Sequence, residues 1–422
     1  MKKYRRILCV FMAASMAVAG LAACSGGKDK KSSSASGEGE LTVLLPPWAE
    51  PSQELIHHFE EEHGTKVNLN IMGWDEIHDK ITVAAVSKVA PADVMEVDWS
   101  WTKEFISADC VEPFELTDEQ KEEYPLYTSF EEAGNVVAIP YLNDIRVGYY
   151  NEEHLKAAQI TETPRTWKEL VEDCVKIKEA GICEYPLSFT LSATEHSANQ
   201  LLWLSLCQGI PFFREDDSID GQKMEATLKL VDEALNETKI IDPASISLTD
   251  VEADSAYRKG NATFLIGAMG TLGTCNNPEE SSVVGQVKTM LIPGTESIQT
   301  ATYGLPEGIG ISKYSKNKEL AKEFIEWFTG DEVQTYLYQK HGTVPSSVKT
   351  FEKLGTAGEI ADEDILMEEL KADQSPFPNG VPGWYSEYSS IVANKLNALA
   401  QGTLDSKEAA EQIVKEVDGI AK

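Results

Sequence analysis

Two short loops carry the side chains best able to recognise a polyhydroxyl ring. Trp48 and Glu50 sit among Pro46, Pro47 and Pro51, and Asp98, Trp99 and Trp101 follow the apolar run that ends at Val97. An indole offers an apolar face on which a sugar ring can stack, and a carboxylate accepts hydrogen bonds from hydroxyls. The same acids over aromatic rings would also suit a cation. The run before Trp48 already supplies core, which favours a stacking platform over a core plug there. In the second loop either indole can instead pack beneath the sheet. Trp203 lies in an apolar helical stretch and can serve either core or site.

Enzymatic patterns are weak. His57, His58, Glu61, Glu62 and His63 resemble a metal cluster, but their order is not that of the zinc proteases. They read as a solvated helix face. Asp216, Ser218, Asp220 and Gly221 mimic the start of a calcium loop, yet Thr227 stands where a Glu is required. No GxSxG elbow occurs, and Gly304, Gly308 and Gly310 do not make a GxGxxG. Neither a metal nor a cofactor is expected, and a binder is expected rather than an enzyme.

Both candidate loops need a sheet to place them. Leu41 to Leu45 is a short apolar run, and Ser52 to His63 has helical spacing at Leu55, Ile56 and Phe59. Lys66 to Ile71 alternates as a strand, Asp75 to Ser87 is helical, and Pro91 to Val97 is again a strand. This β-α-β-α-β rhythm predicts a parallel sheet with helices on its faces. Ligands of such sheets sit beyond the carboxyl ends of the strands, where both loops lie. A second α/β region begins near Tyr149, with Thr166 as a helix N-cap. Helices are expected over Ser197 to Gln208, Lys223 to Leu235, Lys318 to Phe328, Ser389 to Ala400 and Ser406 to Ile420, and a strand over Ala262 to Ile266.

The N-terminus reads as an export leader. Lys2, Lys3, Arg5 and Arg6 precede the apolar stretch Ile7 to Ala19, which is too short to span a membrane. Leu21-Ala22-Ala23-Cys24 resembles the bacterial lipobox, which implies cleavage after residue 23 and a lipid on Cys24. Residues 24–40 are Ser- and Gly-rich and read as a flexible tether. The formal charge of −32 argues against nucleic acid and anionic headgroups as partners. Of seven cysteines, Cys110, Cys174, Cys183, Cys207 and Cys275 remain for the folded part. Cys174 and Cys183 are close enough in sequence to pair, while most of the five read as buried apolar residues.

Three stretches carry a resemblance. The first runs from Ala138-Ile139-Pro140-Tyr141 through Tyr149-Tyr150-Asn151-Glu152 to Pro164-Arg165-Thr166-Trp167-Lys168-Glu169-Leu170. The second is Gly308 to Phe328 followed by Gly342-Thr343-Val344-Pro345, and the third is Trp384-Tyr385 leading into a helix near Gln401-Gly402. Together they resemble the extracellular solute-binding proteins of ATP-driven (ABC) importers, in the family that includes the maltose-binding protein. The resemblance implies an α/β, two-lobed, type II periplasmic-binding-protein-like fold with three hinge crossings. Residues 41–146 and 305–343 would form the N-lobe, and residues 147–304 and 344–422 the C-lobe. It implies a monomer, lipid-anchored on the extracytoplasmic face of a bacterial (Gram-positive) cell membrane. A small-molecule solute, expected to be a saccharide, would be captured as the lobes close and delivered to membrane permease subunits.

By the same resemblance Asn143, Asp144 and Arg146 lie at the first crossing, and Asp144 falls on a sugar-contacting acid. The alternative is a hinge salt bridge between Asp144 and Arg146. Trp384 matches a stacking indole, with Tyr385 beside it, while Trp167 and Trp327 match packing positions. The loop Gly267 to Gly273 lacks a tryptophan that carbohydrate binders of this type often carry, which speaks against a long linear ligand. The rival readings are a binder of a cationic or peptide solute, such as a polyamine or amino acid, and more remotely a secreted glycoside hydrolase using two carboxylates.

Overall fold

The structure is a computed structural model and describes residues 39–268 and 270–421. The leader 1–23, Cys24 and all but the last two residues of the tether lie outside the described residues.

Among the described residues ten strands are formed: β1 Glu40–Leu45, β2 Lys66–Ile71, β3 Val94–Asp98, β4 Glu131–Glu132, β5 Asn135–Val136, β6 Ile139–Asp144, β7 Arg146–Asn151, β8 Phe264–Ala268, β9 Val287–Met290 and β10 Leu305–Ile311. The first sheet has the order β2-β1-β3-β10-β6, the second β8-β7-β9, and β4 and β5 make a small hairpin. β1 pairs in parallel with β2 and β3, as the β-α-β-α-β rhythm predicts. The sheet is not parallel throughout, however. β10 inserts between β3 and β6 and runs antiparallel to both. It arrives from the second sheet, so it enters the first from the end where β3 leaves. The second sheet is antiparallel on both sides of β7.

Only Ile145 separates β6 from β7, so the chain steps directly from one sheet into the other. It returns through residues 291–304 into β10. Later, Pro345 bridges to Leu142 of β6, and the chain goes on to Leu354, Ile360 and Leu366, which pack with Val147 and Tyr149 of β7. The fold is the mixed α/β, two-lobed architecture implied by the resemblance, each sheet carrying its own helices.

Local chemistry sets the helix ends. The Ser52 hydroxyl accepts from the Leu55 amide, and Gly64 closes that helix at φ 62°. Thr166 and Glu169 form a reciprocal cap, so helix Trp167–Glu179 begins where the sequence places it. Helix Lys318–Phe328 buries Ala321, Phe324, Ile325 and Phe328, one face at helical spacing. Helix Glu195–Cys207 differs, because every residue from Ser197 to Cys207 is buried. Cys174 and Cys183 do not pair: all five described cysteines are free and buried. The Cys183 thiol instead donates to the Asn261 carbonyl at 3.3 Å.

Candidate functional site

The loops at the carboxyl ends of β1 and β3 meet the start of β10. Trp48 lies in the helical turn Pro47–Ala49 and is partly exposed. Its indole N–H donates to Glu307 Oε2 at 2.5 Å, and its carbonyl accepts from Thr343 Oγ1 at 3.2 Å. Glu50 is exposed, and its carbonyl faces His341 Nε2 at 3.1 Å.

Asp98 closes β3 with its carboxylate buried. Oδ1 accepts from the Ser100 amide at 2.8 Å and hydroxyl at 2.5 Å, and Oδ2 from Trp74 Nε1 at 3.1 Å. Burial outweighs these donors and pushes its pKa up to about 6. The two indoles of this loop then part company. Trp99 turns toward the second lobe, its ring 5.1 Å from Tyr385, 6.0 Å from Phe377 and 6.2 Å from Tyr303. Trp101 is wholly buried, 4.5 Å from Trp74, 5.1 Å from His78 and 5.5 Å from Phe105. The structure therefore corrects the platform reading of Trp101. It caps helix Thr102–Ser107, and that turn carries its ring under helix Trp74–Ser87.

At the step between β6 and β7, Asp144 and Arg146 form a salt bridge of 2.7 Å. Burial raises the Asp144 pKa, and Arg146 opposes that rise. The guanidinium also lies 5.9 Å from the centre of the Trp203 ring. Trp203 is buried, with its N–H donating to Thr302 Oγ1 at 2.7 Å. Asn143 is buried beside them, its backbone N–H donating to the Val344 carbonyl at 3.0 Å. A narrow recess opens here, lined by Arg146, His196, Asn199, Gln200, Trp203, Tyr303 and Leu305. Burial, reinforced by Arg146, pushes His196 down to about 4, which leaves it neutral at pH 7. Tyr303 donates to the Asn199 side chain.

Trp384 is partly exposed at the head of helix Tyr385–Ala400, with Phe213 and Tyr388 each 6.4 Å away. Tyr385 is buried, and its hydroxyl donates to Glu195 Oε1 at 2.6 Å. Burial, together with nearby Asp98, brings Glu195 up to about 7. The structure thus brings Asp98, Trp99, Asp144, Arg146, Trp203 and Tyr385 to one region. Trp48 reaches it through Glu307, Trp384 lies behind Phe213, and Glu50 stays at the surface. The residues that sequence reading passes over are Glu195, His196, Asn199, Tyr303 and Glu307. Their signal is faint: polar side chains at the start of an apolar helix, and one acid inside a Gly-rich strand.

A family model for bacterial extracellular solute-binding proteins matches residues 45–335. The chain belongs to that family. It is 23% identical over 436 residues to the diacetylchitobiose-binding protein DasA of Streptomyces coelicolor, covering 97% of each chain. The fold matches maltose-bound MalE3 of T. maritima with a TM-score of 0.79 at 21% identity, over 90% of this chain and 99% of that one. It also matches a ribitol-bound solute-binding protein of Agrobacterium radiobacter with a TM-score of 0.80 at 17% identity, over 90% and 98%.

Within this family fold the Gly-rich loop after β8 makes a backbone contact. A Cβ on Gly270 would stand 2.4 Å from the His341 carbonyl oxygen, at the end of a helix packed on the first sheet. Gly270 has φ −61°, which any residue adopts, so alanine there tests the contact without backbone strain. Gly273, with nothing within 4 Å of its would-be Cβ, is the control. Gly270→Ala is expected to lower ligand affinity roughly tenfold, or about 1.4 kcal/mol, by wedging the lobes apart. Gly273→Ala should bind like wild type. Calorimetric titration of the two folded variants side by side checks this.

Proposed function

We propose that the protein captures a short saccharide between its two lobes and delivers it to the permease of an ABC importer. The observation that carries this reading is the meeting of aromatic rings and buried acceptors from both lobes. Trp99 from the β3 loop faces Tyr385 at 5.1 Å, and Glu195 on the second lobe senses Asp98 on the first. Stacking surfaces with convergent acceptors are what a hydroxylated ring needs. The relatives bound to maltose and ribitol, and the one named for diacetylchitobiose, support a polyol or sugar ligand. The tryptophan-free loop after β8 favours a short ligand over a long linear one. In this reading residues 41–146 and 305–343 act as one lobe and residues 147–304 and 344–422 as the other. The protein acts as a monomeric binder that leaves its ligand intact.

A thermal-shift screen over sugars, amino acids and polyamines tests the ligand class. A ligand at a hundred times its Kd adds about 2.7 kcal/mol of apparent stability. Stabilisation by mono- or disaccharides is the expected outcome. Stabilisation by polyamines alone would overturn it, the buried carboxylates then serving a cation.

For the anchor, the proposal is that residues 1–23 are removed, that Cys24 carries a diacylglycerol, and that residues 24–40 tether the lobes on the extracytoplasmic face. Leu21-Ala22-Ala23-Cys24 supports it. Cys24→Ser is expected to shed the protein from the membrane fraction or leave an uncleaved precursor. Mass spectrometry showing an unlipidated mature N-terminus in the wild type would contradict the anchor.

A further inference from the structure

Under the Trp48 loop three side chains of the first sheet converge: Glu96 from β3, Tyr141 from β6 and Glu307 from β10. The Tyr141 hydroxyl oxygen lies 2.9 Å from Glu96 Oε2 and 2.7 Å from Glu307 Oε2. The same Glu307 oxygen accepts the Trp48 indole N–H at 2.5 Å. A phenol has one proton and can donate it to one carboxylate only. The second contact is attractive only if that carboxyl brings its own proton to the phenol oxygen.

The two acids are not equivalent. Glu307 Oε2 has two donors within reach, the Tyr141 phenol and the Trp48 indole N–H, and both favour its charged form. Glu96 has no exposed surface, and its Oε1 is buried without a hydrogen-bond partner. The charged groups bearing on Glu96 are Glu307 on β10 and Asp98 on its own strand, both acids, with the Tyr141 phenol on β6. Asp98 and Asp144 bear on Glu307. An isolated buried carboxylate in such company is unfavourable, and the group neutralises instead.

We infer that Glu96 is a neutral carboxylic acid in the native protein and that its proton positions the cleft indole Trp48. Glu96 donates to Tyr141, Tyr141 donates to Glu307, and Glu307 holds the Trp48 N–H. Glu96 and Tyr141 are positioning residues that act through Glu307. The consequence for binding rests on the reading of Trp48 as a ligand contact, while the proton relay stands without it. Burial and the neighbouring acids raise both carboxyls, Glu96 well above the usual carboxylate range, while the Trp48 and Tyr141 donors draw Glu307 back toward its charged form.

The sign of the pH dependence follows. The folded state keeps a proton that the unfolded chain releases in the ordinary carboxylate range. Stability from this group is therefore full in acid and declines as pH rises above that range. Once Glu96 ionises, two carboxylates face one phenol proton, and the acceptor beneath Trp48 is displaced.

The test follows the Trp48 indole N–H by ¹⁵N NMR from neutral to alkaline pH in the ligand-free protein, assigned with Trp48→Phe. Glu96→Gln keeps a donor toward Tyr141 and cannot ionise. The expected result is an alkaline transition of the Trp48 signal in the wild type that Glu96→Gln removes or displaces. Superimposable profiles would overturn the proposal. Should Glu96→Gln fail to fold, Tyr141→Phe deletes the relay and leaves both acids. Its Trp48 signal should then leave the wild-type position already at neutral pH, and an unmoved signal would equally overturn the relay. Maltose and diacetylchitobiose serve as probes in the binding arm. If the NMR transition behaves as expected while Trp48→Ala binds them like wild type, the relay holds and only the ligand-contact reading of Trp48 fails.

Discussion

Trp99→Ala and Trp384→Ala are each expected to weaken saccharide binding while leaving the protein folded. Trp99 presents its ring from the β3 loop toward Tyr385, Phe377 and Tyr303, so it contributes an aromatic surface where the lobes meet. Trp384 is partly exposed at a helix start and backed by Phe213 and Tyr388. Losing either ring removes apolar contact and stacking worth about 1–3 kcal/mol, roughly ten- to a hundredfold in affinity. Trp99 is the stricter case, because it is 6% exposed and its truncation also loosens the contact between the lobes. Its loss should therefore reduce ligand-induced compaction in solution scattering as well as affinity. Calorimetry on both variants is the check. Wild-type affinity in both would place the ligand elsewhere.

Trp101→Ala should show the opposite pattern. The ring is fully buried against Trp74, His78 and Phe105, and truncating a buried aromatic costs about 3–5 kcal/mol through lost contact and the cavity left behind. Denaturant unfolding should report that loss, with the folded fraction binding ligand near wild-type affinity. A stable Trp101→Ala variant with lost binding would return this residue to the ligand surface. Two residues apart in sequence, Trp99 and Trp101 thus separate affinity from stability.

That pair also marks where the sequence stops being legible. Composition and spacing lead to a loop of indoles and an acid at a strand end, because local periodicity sets strands and helices. A turn of the backbone over two residues decides which ring faces the cleft, and that turn answers to helix Trp74–Ser87 packed above it. At position 144 the sequence leaves two readings open, a sugar-contacting acid and a hinge salt bridge with Arg146, and the tertiary structure forms the bridge at 2.7 Å.

By itself the sequence determined the elements: the strand Lys66–Ile71, the helices Lys318–Phe328 and Ser406–Ile420, and the cap at Thr166. It also determined that Trp48 and Asp98 would lie at the carboxyl ends of strands. These features depend on neighbours within a few residues, where period and capping chemistry act. The tertiary structure alone decided that β10 enters the first sheet antiparallel between β3 and β6. That insertion sets Glu307 against Trp48, 259 residues away in sequence, and against Tyr141 and Glu96. No periodicity links such distant positions. Their meeting follows from which sheet edge β10 covers, and the buried proton arises only once the acids are brought together out of water.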